Sequence, residues 1–155
     1  MELTKVVVFQ AGTEEYGIPI DHVISIERLE EINNIPNMPD YMKGVVKVRG
    51  ELIPVLDTNK ILYRTDSDLS QHSTKLIVIQ SDSLSAALIV KDAKEILDIS
   101  ADELKSIAVG AFQATKYFSA VASLPDRLIT IIDPNLLLNS LEGIAMIKEE
   151  IVSHH

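Results

Sequence analysis

Residues 35–62 read IPNMPDYMKGVVKVRGELIPVLDTNKIL, and prolines and glycines divide the stretch into short apolar runs. Pro36, Asn37 and Pro39 exclude a regular helix at its start, because proline lacks the amide that a helix interior needs. Asp40–Lys43 is then long enough for a single helical turn, which Gly44 would stop. Val45–Val48 and Leu52–Leu56 flank Arg49-Gly50-Glu51, the pattern of a β-hairpin, with Pro54 as a backbone device in its second arm. Asp57 stands just before Thr58–Leu62. A carboxylate there accepts from the free amides of a first helical turn, so Asp57 reads as a helix cap and not as an acid catalyst. Val48-Arg49-Gly50 is the one pointed chemical feature, a cation in a tight turn beside Val45 and Val48.

Working outward, the segments on both sides recur. Thr4–Gln10 (TKVVVFQ) and Thr74–Gln80 (TKLIVIQ) share four of seven residues, and the other three are apolar in both. Gly17–Ile26 and Ala87–Ile96 match at the same spacing, through Ile18/Leu88, Ile20/Val90, Val23/Ala93 and Ile26/Ile96. Leu52–Asn59 matches Leu128–Asn135, so Asp57 recurs as Asp133, with Pro134 at the first helical position after it. Blocks in the same order with the same punctuation indicate an internal duplication. The units are expected at about 4–62 and 74–138, separated by the polar stretch 64–74. Units of roughly 60 residues are marginal alone, so they should share a core. Short Val- and Ile-rich strands between Gly and Pro turns favour small barrels, whose closure hides strand edges. The second copy is longer near Ser100–Gln113, where Ser100-Ala101-Asp102-Glu103 reads as a capping box. A C-terminal helix is expected over 140–153, capped by Ser140, with Ile144, Ile147 and Ile151 on one face.

Composition narrows the function. The 155 residues carry a formal net charge of -9 and no cysteine. An acidic field repels phosphate backbones and anionic lipid, so neither nucleic acid nor direct membrane insertion is expected. The absence of cysteine removes disulfides, thiol nucleophiles and zinc–thiolate sites. No apolar run reaches the length of a membrane span and the N-terminus lacks the pattern of a signal peptide, so a cytoplasmic protein is expected.

The sequence carries no phosphate loop, no nucleophile elbow and no zinc-protease motif. His22 reads as a solvated turn residue, and His154-His155 as a tag remnant. The pairs Glu14-Glu15, Glu30-Glu31 and Glu149-Glu150 are adjacent in sequence. On a strand such neighbours point to opposite faces and do not converge on one substrate. No enzyme activity and no cofactor are therefore expected. Arg49 stands apart, because the second copy has no Val-Arg-Gly triplet. It reads either as a surface residue bonding a nearby carboxylate or as an anchor for a protein partner.

The stretch resembles the signature of the CheW-like domain family. Pro36, Asn37, Pro39, Gly44, Val45, Arg49, Gly50, Pro54, Val55 and Asp57 stand where that pattern has them, and FQAGTEEYGIPIDHVISI is similar to its opening. The likeness covers about residues 5–140. It implies one CheW-like domain over 1–155: mainly β, two SH3-like five-stranded β-barrels from the duplication packed on a shared core, with short helices and a C-terminal helix. It further implies a non-enzymatic adaptor that couples the cytoplasmic tip of chemoreceptors to the regulatory domain of a CheA-type histidine kinase, and so is recruited to membrane receptor arrays. The protein-contact residues it implies are Arg49, associated with receptor contact, with Val48 and Val45 beside it, and Val23 and Ile26 in a strand near the kinase-facing surface. Pro39, Gly44, Gly50, Pro54, Asp57 and Asp133 are expected to be structural. The chain departs from the pattern at Lys47-Val48, where the family has Asn-Leu, at Thr58, and at Ser25, where an acidic residue is frequent. A scaffold for another two-component or motility system stays open, as does a small-ligand protein or enzyme using a cleft between the barrels.

Overall fold

A computed structural model describes residues 3–29, 31–70, 72–106 and 117–153. The first repeat contributes β1 (Leu3–Ala11), β2 (Glu14–Pro19), β3 (Val23–Arg28), β4 (Met42–Val48), β5 (Glu51–Asp57) and helix α1 (Thr58–Tyr63). The second contributes β6 (Thr74–Gln80), β7 (Ser85–Ser100), β8 (Leu104–Ser106), β9 (Phe118–Ser123), β10 (Leu128–Ile132) and helix α2 (Pro134–Ser140). Helix α3 (Ile144–Ser153) follows. Among the described residues, no helix is long and apolar enough to cross a membrane. The molecule is mainly β, as expected. The tag-like His154-His155, and residues 107–116 of the longer second copy, lie outside the described residues.

The apolar runs of β1 and β6 are continuous because both faces of each strand are buried. Val6 and Val8 enter one small cluster with Ile99, Ala122, Ile129 and Ile131, while Val7 and Phe9 turn into a larger one. Correspondingly, Leu76 and Val78 enter a second small cluster with Val46, Ile53, Val55, Ala87 and Ile89, while Ile77 and Ile79 join the same large cluster. Strand alternation thus places a shared core between two groups of strands, each with an apolar cluster of its own.

The ladder connects the repeats reciprocally. β3 pairs with β6, Ile26 opposite Ile77, and the second half of β7 pairs with β1, Ile96 opposite Val7. Each copy's third strand therefore lies on the other copy's first. The parallel pairs repeat too: β5 meets β7 with Val55 opposite Ala87, and β10 meets β2 with Ile131 opposite Gly17. The first group is β3, β6, the start of β7, β5 and β4. Among the described residues it does not close by a ladder: β3 is a terminal strand and β4 pairs with β5 and, through one bridge at Val45, with Asn33.

Three local expectations are corrected. Asp40–Lys43 is not a helical turn. The Met42 amide donates to the Pro39 carbonyl at 3.0 Å, a reverse turn, and β4 begins at Met42. Gly44 is accordingly not a helix stop but a strand position with φ 143°, where an added Cβ would lie 2.2 Å from the Asn33 carbonyl oxygen. The Asn33–Val45 bridge brings that backbone in, so only glycine fits. Ser140 closes α2 and does not start the last helix, because Gly143 (φ 84°) breaks the chain and α3 begins at Ile144. Ile147 and Ile151 are buried and Ile144 packs beside them, as the spacing predicts.

Candidate protein-contact site

The β4–β5 hairpin is tight. Val48 pairs with Glu51, leaving Arg49 and Gly50 as a two-residue turn. Both have positive φ, 52° and 84°. That is the requirement of a type I′ turn, which matches the twist of the strands and favours Asn or Gly at its first central position. An arginine there is held in a left-handed conformation that side chains avoid. Gly50 has open space around its missing Cβ, so its role is the backbone angle alone. Pro54 lies opposite Val45, whose amide and carbonyl both go to Asn33. The β4–β5 ladder asks for no bond from Pro54 at that pair, which is how a proline sits inside this strand.

Arg49 is exposed, and among the described residues it makes no hydrogen bond or ion pair. Many other cations of this acidic chain are tied up: Lys5 to Asp98 at 2.8 Å, Lys43 to Asp66 at 2.6 Å, Arg64 to Asp40 at 3.5 Å. Arg127, in the corresponding hairpin of the second copy, bonds Glu15 at 3.0 Å and Glu95 at 2.7 Å. Those bonds hold its guanidinium charged beyond the usual range and hold the Glu95 carboxyl below its own. The bland expectation for Arg49, a bond to a nearby carboxylate, describes Arg127 instead.

Two concavities open beside the hairpin tip. One, of about 270 Å³, is lined by Glu27, Arg28, Val46, Lys47, Val48, Arg49 and Leu76. The other, of about 280 Å³, is lined by Ile24, Val48, Arg49, Glu51, Ile53 and Val78 among others. Val48 is half-buried against the small cluster of the first group. Ile26 is 40 % exposed and Ile24 39 %, both on β3. Val23 is half-buried and packs on the shared core. Val45 is 6 % exposed and belongs to the shared core, so it presents no surface to a partner. The structure therefore gathers Arg49, Val48 and Ile24 around one end of the first strand group, while Ile26, opposite Ile77 on β6, lines neither concavity.

Sequence reasoning passed over Ile24, Arg28 and Lys47. Ile24 lies at an irregularity between Val23 and Ser25 that leaves Ile24 and Ile26 both exposed, and no local pattern announces it. It also missed a further match at the Asp57/Asp133 spacing. The amide of Asp57 donates to the Tyr41 carbonyl, and the amide of Asp133 to the Tyr117 carbonyl.

The two aspartates are caps. Asp57 accepts from the amides of Asn59 and Lys60, and Asp133 from those of Asn135 and Leu136. Asp57 does more: it is 0 % exposed, accepts from the Ser67 amide at 2.9 Å, and has Lys43 at 3.9 Å. It ties the 64–74 segment to the hairpin's base. His22 lies in a single 3₁₀ turn, its Nδ1 3.1 Å from the Gln80 carbonyl.

By class this is a duplicated, mainly β protein with an exposed cationic hairpin flanked by apolar residues. The chain belongs to the CheW-like domain family, whose model matches residues 5–142. It is 28 % identical over 148 residues to the chemotaxis protein CheW of Klebsiella aerogenes, covering 95 % of this chain and 88 % of that one. It is 28 % identical over 136 residues to that of Bacillus subtilis, covering 87 % and 86 %. A crystal structure of the scaffolding protein TtCheW from Thermoanaerobacter tengcongensis is similar at TM-score 0.78 and 25 % identity, covering 92 % of each chain.

Proposed function

We propose that this protein is a chemotaxis adaptor. It couples the cytoplasmic tip of chemoreceptors to the regulatory domain of a CheA-type histidine kinase, carries out no chemistry itself, and joins receptor arrays through those partners. Membership of the CheW-like domain family and the likeness to chemotaxis CheW proteins support the reading. The observation that carries the site is Arg49: a cation unpaired among the described residues, kept at a turn position where its backbone is strained, between two concavities. Strain that the fold does not need is a mark of function. Arg49, Val48 and Ile26, joined by Ile24, are proposed as the contact residues, with Val23 as support beneath them.

The test is co-capture of a chemoreceptor cytoplasmic fragment and a CheA-type kinase with the wild-type chain and with Arg49→Asn. Asparagine suits the turn, so folding is retained. The expected result is capture of both partners by wild type and a loss of at least about tenfold in affinity for one of them in the variant. Undiminished capture of both by the variant would remove Arg49 from the site. Capture of neither by wild type would refute the adaptor reading.

A further inference from the structure

The concavity beside Arg49 lies between two strand edges that do not pair with each other. Among the described residues, β3 ends the sheet on one side, and β4 beyond Val45 is paired with β5 alone. Val45 exchanges both backbone bonds with Asn33, so its amide and carbonyl face away from β5. In an antiparallel strand the residue two places on faces the same way. Lys47 therefore turns its amide and carbonyl into the gap, and among the described residues they meet no partner. Val46, Val48 and Leu76 contribute apolar surface to the same concavity.

The side chains around the gap share one sign. Arg28, Lys47 and Arg49 line it and form no ion pair or hydrogen bond among the described residues, and Lys75 stands opposite Arg28 on β6. Among the described residues Glu27 is the one carboxylate in the lining, in a chain whose formal net charge is -9. Cations on an open edge discourage pairing with another copy of the same edge. They favour a strand of opposite charge, which gains backbone bonds from the edge and charge pairing from its side chains.

We infer that the gap between β3 and β4 receives an extended acidic segment of a partner protein, paired as a strand along β4 at Lys47 and held by Arg28, Lys47 and Arg49. This rests on the adaptor reading only in taking the Arg49 end of the molecule as a partner surface.

The probe is a short synthetic peptide alternating glutamate and valine, titrated into the full chain and followed by amide NMR shifts and hydrogen exchange. The controls are the same peptide with lysine for glutamate, and one N-methylated on alternate backbone amides. The expected result is slowed exchange at the Lys47 amide, shifts confined to β3 and β4, no binding of the lysine peptide, and binding weakened about tenfold by N-methylation. Arg28→Glu and Lys47→Glu, at exposed positions, should each weaken binding about tenfold or more. Equal binding of the N-methylated peptide, unchanged exchange at Lys47, or shifts mapping elsewhere would overturn the inference. Loss of receptor and kinase capture with peptide binding intact would sink the adaptor reading alone, and capture of both without peptide binding would sink this inference alone.

Discussion

At the scale of single residues, Arg49 and Arg127 show how the same side chain serves two ends. Arg127 is locked between Glu15 and Glu95, so its charge is spent inside the molecule. Arg49 has φ 52° and no partner among the described residues. A left-handed backbone costs an L-residue roughly 1 kcal/mol, which asparagine largely avoids by bonding locally. Arg49→Asn is therefore expected to raise stability by roughly 0.5 kcal/mol, seen as a small rise in the urea midpoint with an unchanged slope. A drop in that midpoint would show that arginine stabilises the turn by contacts the structure does not contain. The turn and the cation were legible in the sequence. The strain was not, because it depends on a register that leaves only two residues between Val48 and Glu51.

At the scale of elements, the duplicated strand-to-helix junctions are alike in form and unlike in load. Both aspartates accept from the second and third amides after them. Asp57 is also buried and anchors the Ser67 amide. Asp133→Ala should cost about 1 kcal/mol, the usual value of a cap. Asp57→Ala should cost about 2 kcal/mol, because the cap is lost and a half-buried donor from the loop loses its acceptor as well. Chemical denaturation of the two variants compares them directly, and equal losses would mean that the Ser67 bond adds nothing. Both caps were readable from the Asp-x-Asn repetition. The latch was not, since Ser67 sits in a polar segment with no pattern pointing back to Asp57. Gly44 illustrates the converse: a glycine after a short polar run suggests a helix stop, but the approach of the distant Asn33 backbone is what requires it.

At the scale of the whole molecule, the reciprocal exchange means that neither repeat pairs its third strand within itself. β3 needs β6, and the second half of β7 needs β1. Residues 4–62 or 74–138 expressed alone are expected to show no cooperative unfolding, whereas the full chain unfolds in one transition by both circular dichroism and fluorescence. A folded isolated half would contradict the exchange. Tyr41 ties the first repeat to the C-terminal helices, its hydroxyl donating to the Glu142 carbonyl at 2.8 Å. Burial, with the nearby Tyr117, Asp40 and Glu142, pushes it up to about 12 from its ordinary 10.0. The unfolded chain then releases this proton at lower pH than the folded one. The stability it carries is complete below pH 10.0 and is lost as pH rises toward 12. Melting temperature should fall over that window, and less steeply in Tyr41→Phe, which also costs about 1 kcal/mol at neutral pH through the lost hydrogen bond. Parallel declines in the two proteins would assign the loss to other groups, Tyr16 first, whose hydroxyl is likewise held neutral by burial and by its bond to Tyr63.

The amino-acid sequence alone determined the duplication, the mainly β character, the caps and the cationic turn, because each is written in a short window of neighbouring residues. Tertiary structure decided which strands meet, and with them everything about the contact surface. Val45 and Ile26 look equally apolar in the chain, yet one is buried in the shared core and the other stands 40 % exposed. The gap between β3 and β4 exists because β3 is committed to β6, some fifty residues away in sequence (Ile26 to Ile77). Pairing over that distance is set by the burial of both faces of β1 and β6, a property of the packed molecule and of no segment within it.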